Sequence, residues 1–262
     1  MGFQLSEAKL LGLTRHRQML FSRIKMKILL SVPEKLKKIL FYGQNCYCPV
    51  CDSDIREYES FGHIAKSWCP VCASMKWQRL SWIFLKERTN LFDGIPKKML
   101  HIAPEIAFEP RLKRVANLDY LTGDLFEPGA MVKMDVTDIP FEDNSFDIVF
   151  CSHVMEHVPD DRTALNEFFR VLNFGGWAVF IVPIRMHKLT DEDLNVTNPK
   201  EREKGFGQHN HVRFYGKDFE DRLQKAGFEV TPIKATDLVE ADKLEYVGLR
   251  KKEILFYCQK NS

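Results

Sequence analysis

Two copies of one tetrapeptide constrain this chain more than any other feature: Cys48-Pro49-Val50-Cys51 and Cys69-Pro70-Val71-Cys72, with residues 52–68 between them. Cysteines separated by two residues grip one face of a metal ion, and two such pairs at this distance have the spacing of a zinc ribbon. Zinc is soft enough for thiolate and accepts a closed tetrahedron. Cys48, Cys51, Cys69 and Cys72 are therefore the expected ligands, with Cys46 a spare able to replace Cys48. Four thiolates leave no open coordination position, so the metal is expected to be structural. A redox pair or ordinary buried cysteines would account for one knuckle but not for two matched ones. Five of the seven cysteines lie between Cys46 and Cys72, which favours metal over disulfides and a reducing, cytoplasmic setting.

Charge is unevenly spread. Residues 1–40 hold nine Lys/Arg against Glu7 and Glu34, a net +7 in a chain whose total is +2. A basic arm thus precedes a mildly acidic body, which lacks the broad positive field of a dedicated nucleic-acid binder. Within the arm, residues 6–30 have a helical period, with Leu20, Ile24 and Ile28 four apart beside Arg23 and Lys27. The charged and apolar faces do not separate cleanly, so a surface helix packed on the catalytic domain is expected ahead of peripheral contact with an anionic membrane. No apolar run is long enough to span a bilayer, and no secretion signal opens the chain.

From Lys97 onward, strand and helix patterns alternate. Met99–Ala103, Tyr120–Leu125, Met131–Val136, Phe146–Cys151 and Trp177–Ile184 are apolar runs, while Leu165, Phe168, Phe169 and Leu172 recur at helical spacing. Such alternation implies an α/β fold with a doubly wound, Rossmann-like sheet and a ligand at the strands' carboxyl ends.

Three segments carry a resemblance: Pro140-Phe141-Glu142-Asp143-Asn144-Ser145-Phe146-Asp147, His153-Val154-Met155-Glu156-His157-Val158, and Arg170-Val171-Leu172-Asn173-Phe174-Gly175-Gly176. In this order and spacing the chain resembles the class I S-adenosylmethionine-dependent methyltransferases. It is closer still to a bacterial group with a Cys-Pro-x-Cys module and a Leu-His-Ile-Ala-Pro-Glu segment. The resemblance implies a seven-stranded, mostly parallel sheet. Behind a basic helical arm (1–45) that it does not explain, it divides the chain into a zinc ribbon (46–73), a connecting helix (74–96) and a methyltransferase domain (97–262). It also implies S-adenosylmethionine as cofactor. Where the family places glycines after its first strand, this chain has Ala103, Glu105 and Ala107, and Glu105 is suited to the cofactor's ammonium group. Asp124, 21 residues beyond Ala103, stands where a carboxylate grips ribose hydroxyls. Asp135 and Val136 are implied beside the adenine, and Ser152 is a further implied cofactor contact. A nicotinamide dehydrogenase would explain Asp124 but not Arg170–Gly176.

His153, Glu156 and His157 spell the inverted zinc-protease motif, but they follow a buried strand at the cofactor edge, which excludes a protease reading. On a helix they would share one face. Their pattern, with His211 downstream, resembles metal-using methyltransferases of small-RNA 3′ ends and of ubiquinone synthesis. His153, Glu156, His157 and His211 are therefore the candidate catalytic residues, acting as base or as ligands of a second divalent metal, with Arg213 and Tyr215 suited to an anionic or sugar-like acceptor. The expected reaction is O-methylation of a glycan or small-molecule hydroxyl. The alternatives are an RNA methyltransferase gripping its strand through ribbon and arm, and an inactive relative acting as an interaction module.

Overall fold

The first Cys-Pro-Val-Cys knuckle is the turn of a hairpin, and the second follows directly on the outer strand of another. The structure, a computed structural model, describes residues 19–62 and 64–261. The expected helix over residues 6–30 lies outside the described residues up to position 18; from 19 to 31 the chain is helical, α1. Helix α2 (Glu34–Leu40) starts directly after Pro33, whose fixed φ suits a helix start. Strands β1 (Cys46–Cys48) and β2 (Ser53–Ile55) pair antiparallel around the first knuckle, and β3 (Glu59–Phe61) pairs with β4 (Ile64–Trp68) ahead of the second. Helix α3 (Lys76–Arg88) buries Leu80, Trp82, Ile83, Phe84 and Leu85. Its first turn is closed by Gln78, whose Oε1 accepts from the Met75 amide at 2.8 Å. Ser74, just ahead of this helix, turns its hydroxyl to Cys48 and Cys72 Sγ at 3.4 and 3.2 Å.

These elements form a compact unit reaching to Thr89, together with Ile106–Phe108 and Lys234–Glu253. The boundary expected at residue 97 is therefore incomplete, because a stretch from late in the chain belongs with the cysteine knuckles. The reason is Arg79, fully buried on α3. Its guanidinium donates to the carbonyls of Ser74 (2.6 Å), Gly248 (2.7 Å) and Val247 (3.2 Å), and lies 4.0 Å from the Tyr58 ring centroid. Gly248 has φ +67°, and a Cβ there would come within 2.4 Å of the Tyr58 ring, so the position tolerates only glycine. The Tyr47 amide donates to Tyr246 O at 2.8 Å, extending the same attachment.

The second unit comprises Asn90–Glu105, Glu109–Ile233 and the chain from Ile254. Its elements are β5 (Lys97–Ile102), α4 (Glu109–Leu112), β6 (Leu118–Asp124), β7 (Val132–Lys133), β8 (Phe146–Ser152), α5 (Asp161–Val171), β9 (Leu172–Ile181), β10 (Ile184–Arg185), β11 (Asp191–Glu192), α6 (Pro199–Phe206), β12 (Arg213–Gly216), α7 (Phe219–Lys225), β13 (Glu229–Lys234) and β14 (Ile254–Gln259), while α8 (Ala235–Leu238) opens the excursion into the first unit. Seven strands form one sheet in the order β13-β14-β9-β8-β5-β6-β7. Strands β5, β6, β7, β8 and β9 run parallel, and β14 is antiparallel to β9. The expected seven-stranded, mostly parallel, Rossmann-like sheet is present. The chain winds outward from β5 through β6 to β7, then crosses back to β8, which makes β5/β8 the topological switch point.

The first and third resemblance segments meet in space. Arg170 donates to Phe141 O (2.7 Å) and Ile139 O (2.9 Å) and pairs with Glu167 at 2.7 Å. Lys260, which is buried, donates to Leu172 O and Asn144 Oδ1 at 2.8 Å. The approach to β8 is thus held by charge-assisted hydrogen bonds, stronger than neutral ones.

Candidate active site

At the carboxyl end of β5 the backbone turns sharply, with Ala103 at φ +50°. Glycine adopts this region without a Cβ clash, so Ala103 holds a conformation that a glycine would suit. Glu105 folds back toward the strand, and its Oε2 meets His101 Nε2 at 2.6 Å. His101 Nδ1 in turn meets the Tyr120 hydroxyl on β6 at 2.7 Å. Burial pushes the Tyr120 phenol up, so it keeps its proton and donates to Nδ1. His101 Nε2–H then donates to Glu105, which fixes the imidazole tautomer and one carboxylate oxygen. The other oxygen, Glu105 Oε1, is buried without a hydrogen-bond partner. His101 and Tyr120 escaped the sequence reading, since nothing in their spacing marks a strand-to-strand pair.

At the end of β6, Asp124 Oδ1 accepts from the amides of Phe126 (2.6 Å) and Glu127 (2.7 Å). Asp135 Oδ1 likewise accepts from Thr137 N and Oγ1 at 2.9 and 2.8 Å, and Val136 beside it is buried. Ser152, the last residue of β8, is buried with an unpartnered hydroxyl.

Past β8 the expected helix is replaced by a short 3-10 turn, Met155–His157. Pro159 follows at once, and Asp160 caps α5 through the Thr163 amide at 3.0 Å, so the α-helix begins only at Asp161. His153, Glu156 and His157 therefore do not line one α-helical face. They converge all the same. His153, at φ +55°, donates Nδ1–H to Glu156 Oε1 at 3.1 Å. Glu156 Oε1 lies 4.0 Å from His211 Nε2, and the His157 and His211 rings meet edge to face with centroids 4.7 Å apart. The Val212 amide donates to Glu156 O at 2.9 Å, locking the His211 segment against the turn.

The tautomers here are set by backbone. His211 Nδ1 faces Phe206 O at 2.9 Å and His157 Nδ1 faces Asn210 O at 3.3 Å. A carbonyl only accepts, so each Nδ1 carries the proton, and in the neutral ring the lone pair is left on Nε2. Burial holds the His211 pKa down, against the pull of Glu156, and keeps the ring neutral. His211 Nε2 and Glu156 Oε2 are both buried without partners. Ligand atoms of Glu156, His157 and His211 all lie within 4.8 Å of one another, and the same holds for Cys48, Cys51, Cys69 and Cys72. Cys46 is buried apart from that cysteine set, in register with Ile55.

Arg213 and Tyr215 are not placed to meet an acceptor. Arg213 is buried and donates to Met155 O, Val158 O and Pro159 O, as well as to Glu192 at 2.8 Å. Tyr215 is buried against Asp161 at 2.8 Å. Both brace the turn that carries Glu156 and His157.

Residues 101–180 match the family model of a methyltransferase domain. Over 70 residues the chain is 34% identical to an uncharacterized methyltransferase of Mycobacterium sp. (strain JLS), covering 27% of this chain and 28% of that protein. Over 49 residues it is 47% identical to a demethylmenaquinone methyltransferase of Staphylococcus aureus (strain JH9), 19% of this chain and 20% of that one. The chain thus spans 28% or less of the length of these relatives. Among solved structures it is similar to an S-adenosylmethionine dependent methyltransferase from Mesorhizobium loti, with a TM-score of 0.48, 15% identity, and coverage of 68% of this chain and 96% of that one. The matched residues run from the end of β5 through β8 and the His-Glu-His turn into β9.

Proposed function

We propose that this chain is an S-adenosylmethionine-dependent methyltransferase acting on a hydroxyl of a glycan or small molecule, with a structural zinc in its four-cysteine module. One observation carries the reading. Among the described residues, the buried polar side-chain atoms without a partner are Glu105 Oε1, Ser152 Oγ, Glu156 Oε2, His211 Nε2 and Ser67 Oγ. Glu105, Ser152 and Glu156 lie at or just past the carboxyl ends of β5 and β8, and His211 packs against Glu156 and His157 there, where a doubly wound sheet binds its ligand. Buried polar atoms are costly unless something pairs with them, so this concentration marks a ligand site.

When bound, S-adenosylmethionine supplies an electrophilic methyl group on a sulfonium. Glu105 Oε1 suits the cofactor's ammonium, Asp124 its ribose hydroxyls, and Asp135, Val136 and Ser152 the remainder. Glu156 and the Nε2 lone pairs of His157 and His211 accept the proton of an acceptor hydroxyl, which is otherwise a poor nucleophile. The same three ligand atoms fit a divalent ion, which would supply the alternative way of lowering the hydroxyl's pKa.

The cysteine geometry fits zinc. A tetrahedron with zinc–sulfur bonds of about 2.3 Å has edges of about 3.8 Å, and Cys48–Cys72 and Cys51–Cys69 are each separated by 3.7 Å at Sγ. An RNA acceptor is less well supported. The basic residues between Cys48 and Cys72 are Arg56 and Lys66, and both are engaged: Arg56 with Leu40 O at 2.6 Å and Lys66 with Glu245 at 2.5 Å.

The test combines calorimetry with S-adenosylmethionine and a screen using radiolabelled methyl donor against sugars, small hydroxyl compounds and RNA. Label transfer to a hydroxyl acceptor supports the reading. Absence of cofactor binding overturns it, and label appearing only in RNA transfers the assignment to that class.

A further inference from the structure

Helix α1 presents to solvent the stripe that its sequence period singles out. At about 100° per residue, the half-buried positions Met19, Ser22, Met26 and Leu29 occupy one face. That face meets the β3–β4 hairpin: the Ser22 hydroxyl donates to Ser60 O at 3.3 Å and accepts from the Gly62 amide at 3.0 Å. Leu20, Ile24, Ile28 and Phe21 fall on the opposite arc and are exposed, Phe21 to 71%. Lys27 and Arg23 border this arc on one side and Lys25, paired with Glu59 at 2.7 Å, on the other. The faces therefore do separate, contrary to the sequence expectation, and the packed face is not the apolar stripe.

Helix α2 repeats the arrangement. Leu36, Ile39 and Leu40 form a second exposed arc, Ile39 to 74%, bordered by exposed Lys35. Its other side is tied to the first knuckle through Lys38 Nζ, which donates to Cys51 O at 2.7 Å. Two successive helices thus hold large apolar side chains in water beside cations, on a scaffold that fixes their inner faces. Scattered exposed apolar residues need no explanation, but eight on two contiguous helices, Leu30 included, do.

We propose that α1 and α2 form a docking surface for an anionic lipid membrane, with the apolar arcs entering the acyl boundary and Arg23, Lys27 and Lys35 reaching lipid phosphates. The charge selects this occupant. Residues 19–42 carry six Lys/Arg against Glu34 alone, a net +5. A second copy of the chain would bring the same sign and be repelled. The preceding residues, with Lys9, Arg15 and Arg17 against Glu7, are of that sign too. An anionic bilayer offers both an apolar phase and complementary charge, and long basic side chains at the border of an apolar arc keep their heads at the interface.

The test is co-sedimentation of the full chain with phosphatidylcholine vesicles, with and without phosphatidylglycerol, at low and high salt. Wild type is expected to partition onto the phosphatidylglycerol vesicles, less so at high salt, and about tenfold less onto phosphatidylcholine alone. The triple variant Phe21→Ser/Ile28→Ser/Ile39→Ser changes only exposed positions and should keep its melting temperature while losing at least about tenfold in partition. Arg23→Glu/Lys27→Glu/Lys35→Glu should lose as much at low salt. Equal partition of wild type and the triple variant overturns the proposal. So does failure of wild type to bind anionic vesicles, and a dimer in solution that the triple variant dissociates would then assign the surface to a second copy.

Discussion

Glu105 stands just past the carboxyl end of β5, and its two carboxylate oxygens have different surroundings. One oxygen is held by His101, itself held by Tyr120; the other is buried and unpartnered. Glu105→Gln keeps the shape but removes the charge that an ammonium group needs. Loss of a charge-assisted hydrogen bond of about 1.5–3 kcal/mol should weaken S-adenosylmethionine binding roughly tenfold or more. Asp124→Asn is the cleaner companion, because an amide oxygen can still accept from the Phe126 and Glu127 amides while the ribose loses its carboxylate. Calorimetry on both variants reads the effect, and unchanged affinity in both would remove these residues from the cofactor site. His157→Ala and His211→Ala should behave oppositely, with cofactor affinity near wild type and kcat down about 10²-fold or more, the usual scale for losing a general base. Steady-state kinetics beside calorimetry separates the two cases. A fall in affinity equal to the fall in kcat would mean that the histidines shape the pocket without acting on the acceptor.

Helix α3 begins with a cation in the wrong place. Lys76 is buried, and desolvation first, then Arg250 nearby, lowers its pKa to about 8. Between that value and the unfolded value near 10.5 the unfolded chain binds more protons than the folded one, so the Lys76 contribution makes stability rise with pH through this window. Below pH 8 the folded state carries the full cost of an ionised buried lysine. Lys76→Met should therefore stabilise the protein at pH 7 by about 1–3 kcal/mol, and the gain should vanish toward pH 10.5. Denaturant melts of the two proteins across pH measure it, and a difference independent of pH would point to packing instead. Helix α5 and strand β9 were legible in the sequence, because a half-buried helix has an apolar period and a strand buried on both faces is a continuous apolar run. So were the knuckles, because a metal imposes a spacing. What stayed hidden was held by main-chain carbonyls, which leave no mark on residue type. Arg79 fastens the 247–248 segment by its carbonyls, and Arg213 braces the 155–159 turn in the same way. The candidate site was half legible: His157, Glu156 and His211 stood out as residue types. Their lone-pair geometry depends on Asn210 O and Phe206 O, and the pairing of His101 with Glu105 depends on how β5 meets β6.

At the scale of the whole molecule, the chain leaves the sheet unit after β13, contributes residues 234–253 to the cysteine unit, and returns as β14. Loss of metal from the knuckles therefore has two consequences of different size. The cysteine unit loses its centre outright: without a cation between them the four sulfurs no longer bind the two hairpins together. The sheet unit loses only the prefolded link between β13 and β14. Closing a free loop of that length costs roughly 3 kcal/mol, which a sheet with so large a buried core should survive. Wild type is expected to hold one zinc per chain. Chelation should move the melting of the cysteine unit to lower temperature while the sheet unit still melts cooperatively and still binds S-adenosylmethionine. Elemental analysis should find zinc lost in Cys48→Ser and Cys72→Ser but retained in Cys46→Ser, since Cys46 stands outside the four-sulfur cluster. Retention in Cys48→Ser with loss in Cys46→Ser would shift the first knuckle by two residues. Zinc-free protein with an unaltered melt would remove the metal from the account, and with it the reason for two identical tetrapeptides.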